Sequence, residues 1–293
     1  AIFGIELSAL PEIVPSSGKL AEIDNSILGK PLPIAGVAGD QQSALFGQAC
    51  FDVGQAKNTY GTGCFLMLNA GPKPVESQHQ LLSTIAWQIG EERTYALEGA
   101  VFVAGSLIQW LRDKMEFFQN VSETEKIALS VQDSDGCYVV PAFVGLGAPH
   151  WDAYARGLII GLTRNTSKAH IVRAALEAIA YQSAEVLQCM EADLGYPLQE
   201  LKIDGGASAN NFLAQDQADL LGRTVRRPKN AESTALGAAF LAGLAVGVWP
   251  SIESLKSCWQ EDRKFEGTNS DENRKARMKG WLRAEERSKK WLQ

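Results

Sequence analysis

Three short segments carry groups that could do chemistry. The first holds Asp40, in Ile34-Ala-Gly-Val-Ala-Gly-Asp-Gln-Gln-Ser-Ala-Leu-Phe-Gly-Gln48, where an apolar, strand-like run delivers a carboxylate through a glycine turn to the start of a helix. Gly36 and Gly39 leave room for backbone and substrate to approach, so the carboxylate stands where a general base would. The second is Asn58-Thr-Tyr-Gly-Thr-Gly-Cys64, a glycine–hydroxyl–glycine turn between two apolar strands. Its backbone N–H groups and the Thr62 hydroxyl can face phosphate oxygens, as anion-binding nests do. No Gly-Lys-Ser/Thr follows, so it is not a P-loop. The third is Ile203-Asp-Gly-Gly-Ala-Ser-Ala-Asn-Asn211, a glycine turn opening a helix. Its small residues let an adenine or ribose lie against the backbone, and Asn210 can hydrogen-bond to it. Each segment has a plainer reading too: Asp is a favoured helix cap, and either glycine turn can be purely structural. Together, in this order, they suggest phosphoryl transfer from a nucleotide.

The elements that must position these groups follow from pattern. Residues 1–33 are rich in Pro, Ser and Gly and read as loops and short strands. Gln55 to Asn69 reads as strand, glycine turn, strand. Leu81–Ala86 and Thr94–Leu97 read as further strands around a polar turn at Gly90-Glu-Glu92. Leu107, Ile108, Leu111 and Met115 recur at helical spacing within a helix expected over Val101–Phe118. Gly136–Phe143 is a buried-strand candidate. Thr166 or Ser167 caps a long helix that Gly195 stops after Leu194. A strand over Leu198–Ile203, a helix over Asn211–Leu221 ended by Gly222, a strand over Thr224–Arg226 and a small-residue helix over Ser233–Val246 complete the alternation. From Asn269 the tail reads as an amphipathic helix with Met278, Trp281, Leu282 and Leu292 along one side, docked on the body of the protein. An initial meander followed by alternating strands and helices indicates an α/β fold with a mixed sheet flanked by helices.

Composition bounds the rest. The chain has 293 residues, 45% hydrophobic and 21% charged, as an ordinary globular protein does. A formal charge of −6 argues against a general nucleic-acid binder. No apolar run reaches the roughly 20 residues needed for a membrane span. The five cysteines are scattered without a CxxC pair. That odd count, with no signal peptide, points to a reducing compartment, the cytoplasm. His79, His150 and His170 are too far apart in sequence to suggest a metal site, and no metal ligand is assigned. The chain opens on Ala1 rather than Met and reads as a piece of something longer.

Gly39-Asp-Gln-Gln42, Tyr60-Gly-Thr-Gly-Cys64, Leu97-Glu-Gly-Ala-Val101, Ile108-Gln-Trp-Leu-Arg-Asp113, Val140-Pro-Ala-Phe143 and Asp204-Gly-Gly-Ala207 resemble the FGGY carbohydrate kinase family. Gly-Asp-Gln-Gln and the Phe65 after the glycine turn point to its glycerol-phosphorylating members. The resemblance covers nearly the whole chain. It implies an actin-like, ribonuclease-H-like fold in two lobes, with residues 1–47 as the tail of the N-terminal lobe and 48–293 as the nucleotide-binding C-terminal lobe. It implies ATP-dependent phosphorylation of glycerol, with Asp40 as catalytic base and glycerol ligand. Gln41 and Phe65 complete the glycerol site on that reading, and Gly61, Thr62, Gly105, Gln109, Gly206 and Asn210 the nucleotide site. ATP or ADP and Mg²⁺ are the implied cofactors, the metal contacts falling mainly in a lobe that would precede Ala1. A homo-oligomeric full-length enzyme is expected, and the chain alone is expected to be inactive. Two alternatives stand beside this reading: an FGGY kinase for another polyol or sugar, and a nucleotide-binding fragment without turnover.

Overall fold

Apolar runs between glycine turns become strands, and periodic or small-residue runs become helices. The computed structural model describes residues 3–293. A hairpin comes first, β1 (Ser17–Ile23) and β2 (Leu32–Gly36) around a single helical turn α1 (Asn25–Leu28). Helix α2 (Asp40–Gly47) leads into the meander β3 (Gln55–Tyr60), β4 (Cys64–Gly71), β5 (Leu82–Ile89) and β6 (Glu92–Val101). Next come α3 (Gly105–Asp113), α4 (Glu123–Leu129), the small hairpin β7 (Tyr138–Val140) with β8 (Leu158–Ile160), and the long α5 (Lys168–Leu194). The chain then alternates: β9 (Glu200–Asp204), α6 (Asn211–Leu221), β10 (Val225–Pro228), α7 (Ser233–Ala245), α8 (Ile252–Lys256), β11 (Glu261–Phe265) and α9 (Asp271–Glu286).

Among the described residues, nine strands form one mixed sheet in the order β11-β10-β9-β3-β4-β6-β5-β1-β2, and β7 pairs with β8 separately. The meander pairs antiparallel, whereas β3, β9 and β10 run parallel. The first hairpin joins the sheet through one register pair, Ser17 with Ile89. Both faces are covered. Leu66 and Leu68 of β4 belong to the core under α3 and α5, while Met67 between them belongs to the core under α2 and α7. A strand buried on two sides reads as a continuous apolar run, which Leu66–Leu68 is.

Helix ends follow the capping residues. Ser167 stands before α5, and Gly195 closes it at φ 85°. Asn210 caps α6, accepting from the Leu213 N–H, and Gly222 ends it at φ 62°. One expected helix starts late. Val101 still pairs with Cys64 in the sheet, so α3 begins only at Gly105, and Met115 lies beyond its end, exposed. In the tail Met278 and Trp281 are buried, but Leu282 and Leu292 are exposed and do not share the docked face.

Two contacts fix the outlying helices. Helix α2 crosses α7 at backbone distance. A Cβ at Gly237 would lie 1.8 Å from the Ser43 carbonyl oxygen, and one at Gly47 2.0 Å from that of Ser233. The Ser43 hydroxyl donates to the Thr234 carbonyl oxygen at 2.7 Å across the same crossing. At the other end of the molecule, Trp281 of α9 stacks on Tyr181 of α5 with ring centroids 5.3 Å apart. His150 Nε2 lies beside it, 2.6 Å from Glu185 Oε1 and 3.0 Å from Glu285 Oε1. Burial alone would push the His150 imidazolium's pKa down, but the hydrogen bonds to both carboxylates outweigh that and raise it to about 9. His150 is thus held protonated by the two carboxylates on Nε2, clasping α9 to α5.

Gly237→Ala should lower the thermal unfolding midpoint. A rigid backbone oxygen meets the new methyl, so overpacking of about 1–3 kcal/mol exceeds the helix-propensity gain of at most about 1 kcal/mol. Differential scanning calorimetry checks the sign. The His150 clasp has its own pH signature. A proton held with a raised pKa stabilises fully below the unfolded value near 6.5, and the contribution is lost as pH rises through about 9. The gap in Tm between wild type and His150→Gln should therefore shrink as pH rises from about 7 to 10. Lys57, whose pKa burial depresses, acts in the opposite sense in both proteins and cancels in the difference.

Candidate functional site

Parallel neighbours β3 and β9 stay in register up to Thr59 opposite Asp204, and both then turn out of the sheet on glycines. Ligands in α/β sheets bind beyond the carboxyl ends of such strands. Gly205 takes φ 82°, and a Cβ there would sit 2.5 Å from the Tyr60 carbonyl oxygen, so the two turns touch through backbone. The Gly61–Gly63 turn also abuts the start of α3. Thr62's carbonyl oxygen accepts from the Ala104 and Ser106 N–H groups and from the Ser106 hydroxyl, at 2.9, 3.1 and 2.9 Å. Gly105 N–H donates to the Gly61 carbonyl oxygen at 3.0 Å. A side chain at Gly105 would strike that same oxygen, since its Cβ would fall 2.5 Å away.

These turns enclose a cavity of about 650 Å³, the size of a small-molecule site. Gly61, Thr62, Gly105, Gln109, Gly206 and Asn210 all line it. The structure therefore brings together every residue the sequence assigned to nucleotide. Two details differ from expectation. The Gly61 N–H is spent on the Gly63 carbonyl oxygen at 2.8 Å, leaving the exposed Thr62 as the group presented by the turn. Asn210 is already engaged as the α6 cap and donates its amide to Thr124 Oγ1 at 3.1 Å, so its fixed orientation is structural first. Gly206 stands apart from its neighbour Gly205, since a Cβ built on it meets nothing within 4 Å.

Sequence reasoning missed the far wall. Ile108 and Leu176 supply an apolar floor, and Val121, Ser122, Thr124 and Glu125 come from the start of α4 and the turn before it. Ser122 ahead of Glu123-Thr-Glu125 is the pattern of a helix start, the one signal that marked this wall.

Asp40, Gln41 and Phe65 form a second group. Asp40 occupies the first turn of α2, after Gly39, with its carboxylate exposed to the surface. Gln41 N–H donates to Asp40 Oδ1 at 2.8 Å, and Gln41 Nε2 donates to Oδ2 at 3.3 Å. The Phe65 ring stands 40% exposed on β4, an apolar surface open to solvent. Lys57 links the group: its ammonium donates to Gln41 Oε1, to Thr59 Oγ1 at 3.1 Å and to the Phe65 carbonyl oxygen at 3.1 Å. Burial pushes the Lys57 pKa down to about 8, against the opposing charges of Asp204, Glu98 and Asp40. Lys57 and Tyr60 are three residues apart on β3, roughly 10 Å at the usual strand rise. One strand thus spans from the carboxylate group to the cavity.

Among the described residues, only His150, Glu185 and Glu285 gather three metal-ligating groups, and none of them lines this cavity. All five cysteines are free. No described helix is long and apolar enough to cross a membrane.

Residues 56–246 match the C-terminal domain of the FGGY family of carbohydrate kinases. The chain is 58% identical to a glycerol kinase of Symbiobacterium thermophilum over 288 residues, which is 98% of this chain and 58% of that protein. It is 54% identical to a glycerol kinase of Deinococcus radiodurans, over 99% of this chain and again 58% of the relative. Among solved structures, a Plasmodium falciparum glycerol kinase with ADP superposes with a TM-score of 0.91 at 40% identity, over 96% of this chain and 57% of that one. A xylulose kinase from Rhodospirillum rubrum, at 21% identity, 95% and 57% coverage and a TM-score of 0.82, shares the fold. The chain thus spans a little under three fifths of the length of these kinases. With the family's C-terminal domain matched over residues 56–246 and relatives more than half identical along nearly its whole length, the chain belongs to the FGGY carbohydrate kinases.

Proposed function

We propose that this chain carries the catalytic base and the nucleotide-binding lobe of an ATP-dependent glycerol kinase. The observation that supports this most is the single cavity in which all six motif positions meet. Ile108 and Leu176 offer an apolar slot for a planar base, while Thr62 and Gly61 stand where phosphates would lie beyond the strand ends. Asp40, with Gln41 beside it and Phe65 as an apolar wall, supplies the acceptor side. The glycerol kinases aligned over almost this entire chain favour glycerol as the acceptor.

The chemistry needs little beyond placement. A terminal hydroxyl of glycerol attacks the γ-phosphorus of ATP; the new P–O bond forms as the bond to the β–γ bridging oxygen breaks, and ADP leaves. Asp40 accepts the hydroxyl proton. Gln41 and Phe65 hold the carbon chain so that attack is in line. Mg²⁺, when bound, neutralises phosphate charge. The cavity walls carry hydroxyls, amides and one carboxylate, Glu125, rather than a cage of carboxylates, which fits an ion held by phosphates and water. Residues 1–47, read as the tail of the N-terminal lobe, would continue into the rest of a two-lobed enzyme.

Glycerol-dependent ADP release by the full-length protein tests the proposal directly. In that protein Asp40→Asn should cut kcat by about 10²–10⁴-fold and leave ADP affinity unchanged, because it removes a base and little else. A variant keeping more than about a tenth of kcat would remove Asp40 from the role. Gly206→Val should fold normally, since its side chain enters open space, yet block ADP binding by projecting into the space proposed for the nucleotide. Calorimetry that finds normal ADP affinity in folded Gly206→Val would move the nucleotide elsewhere.

A further inference from the structure

Lys57 has no part in the mechanism above, yet it is fully buried in the middle of the sheet and touches the acceptor side twice. Removing an ammonium from water costs several kcal/mol after relaxation, so a buried lysine persists only where its hydrogen bonds and charge are used. Here all three of its protons are engaged, on the side chain of Gln41, the hydroxyl of Thr59 and the backbone of Phe65. Those partners come from α2, β3 and β4. A methionine would fill the same volume and leave three acceptors without donors.

The consequence falls on Gln41. An amide can point either way, and its direction is set by its partners. With the Gln41 carbonyl oxygen on the ammonium, its NH₂ group must turn toward Asp40 Oδ2, as it does at 3.3 Å. One N–H is then used on the carboxylate and the other is free to meet an acceptor hydroxyl. Reversed, the amide would set its oxygen against the carboxylate.

The geometry points to Lys57 as a positioning residue of the transfer site, which orients the Gln41 amide beside Asp40 and places a fixed positive charge behind both. This rests on the roles given above to Asp40 and Gln41. The groups facing the ammonium are Asp204 from β9, Glu98 from β6, Cys50 from the turn after α2, and Asp40 itself. Because burial depresses the Lys57 pKa to about 8, the charge is present at neutral pH and is lost just above it.

The test uses the full-length enzyme. Lys57→Met should raise KM for glycerol about tenfold, the upper end of what one neutral amide–hydroxyl hydrogen bond contributes, and leave KM for ATP unchanged. Gln41→Ala should do the same, and the double variant should be no worse than either single one, since both remove one interaction. In the wild type, KM for glycerol should rise as pH climbs through about 8, and Gln41→Ala should show no such rise. That last comparison decides the matter even if Lys57→Met does not fold, which near-UV circular dichroism reports. A folded Lys57→Met with normal KM for glycerol, additive effects in the double variant, or a pH-dependent rise that persists in Gln41→Ala would each overturn the inference. A wild type that does not phosphorylate glycerol would overturn the proposed function, and this inference with it.

Discussion

Because β3 and β9 run parallel and in register from Gln55 opposite Glu200 to Thr59 opposite Asp204, their loops must leave the sheet side by side. Everything at the site follows from that pairing. The Tyr60 carbonyl oxygen packs so closely on Gly205 that no side chain fits, and this contact sets the spacing of the two glycine turns. Helix α3 then closes on the first turn through Thr62, and α6 springs from the second through the Asn210 cap. A cavity forms because two glycine turns, held together at the Tyr60–Gly205 contact, stand between two helix starts. The other half of the site hangs on the same strand, since Lys57 holds Gln41 from the middle of β3.

Much of this was legible in the sequence because glycines and caps act locally. Gly195 and Gly222 end helices in the left-handed conformation that favours glycine, so their meaning survives any tertiary context. The six positions proposed for nucleotide converge because five lie in a glycine turn or at a helix start set by local residues, and Gln109 follows one turn into α3. What stayed hidden depends on neighbours. Val101 carries a helical pattern but belongs to the sheet, because its backbone partner Cys64 lies 37 positions earlier. Helix α4 and strand β11 are short and charged, and their patterns resemble solvated loops. The role proposed for Lys57 was invisible for a related reason: a lysine in the polar run Gln55–Tyr60 declares nothing until burial and three acceptors are seen around it.

Helix α5 joins the parts. Its Leu176 floors the cavity, its Val186 and Met190 pack beneath the meander, and its Glu185 meets the His150 clasp. With 27 residues it extends roughly 40 Å, enough to run the length of a domain this size. The cavity and the C-terminal helix are therefore mounted on one rigid rod rather than on separate loops.

The sheet order leaves two free margins, β2 at one end and β11 at the other. An unpaired strand margin invites another chain to add to it, and with nine strands this sheet offers a broad template. Each margin is blunted by its own residues. Pro33 removes a donor from β2, and Glu261-Asp262-Arg263-Lys264 puts alternating charge runs along β11. With both margins blunted, the protein can stay concentrated without its strands stitching one molecule to the next.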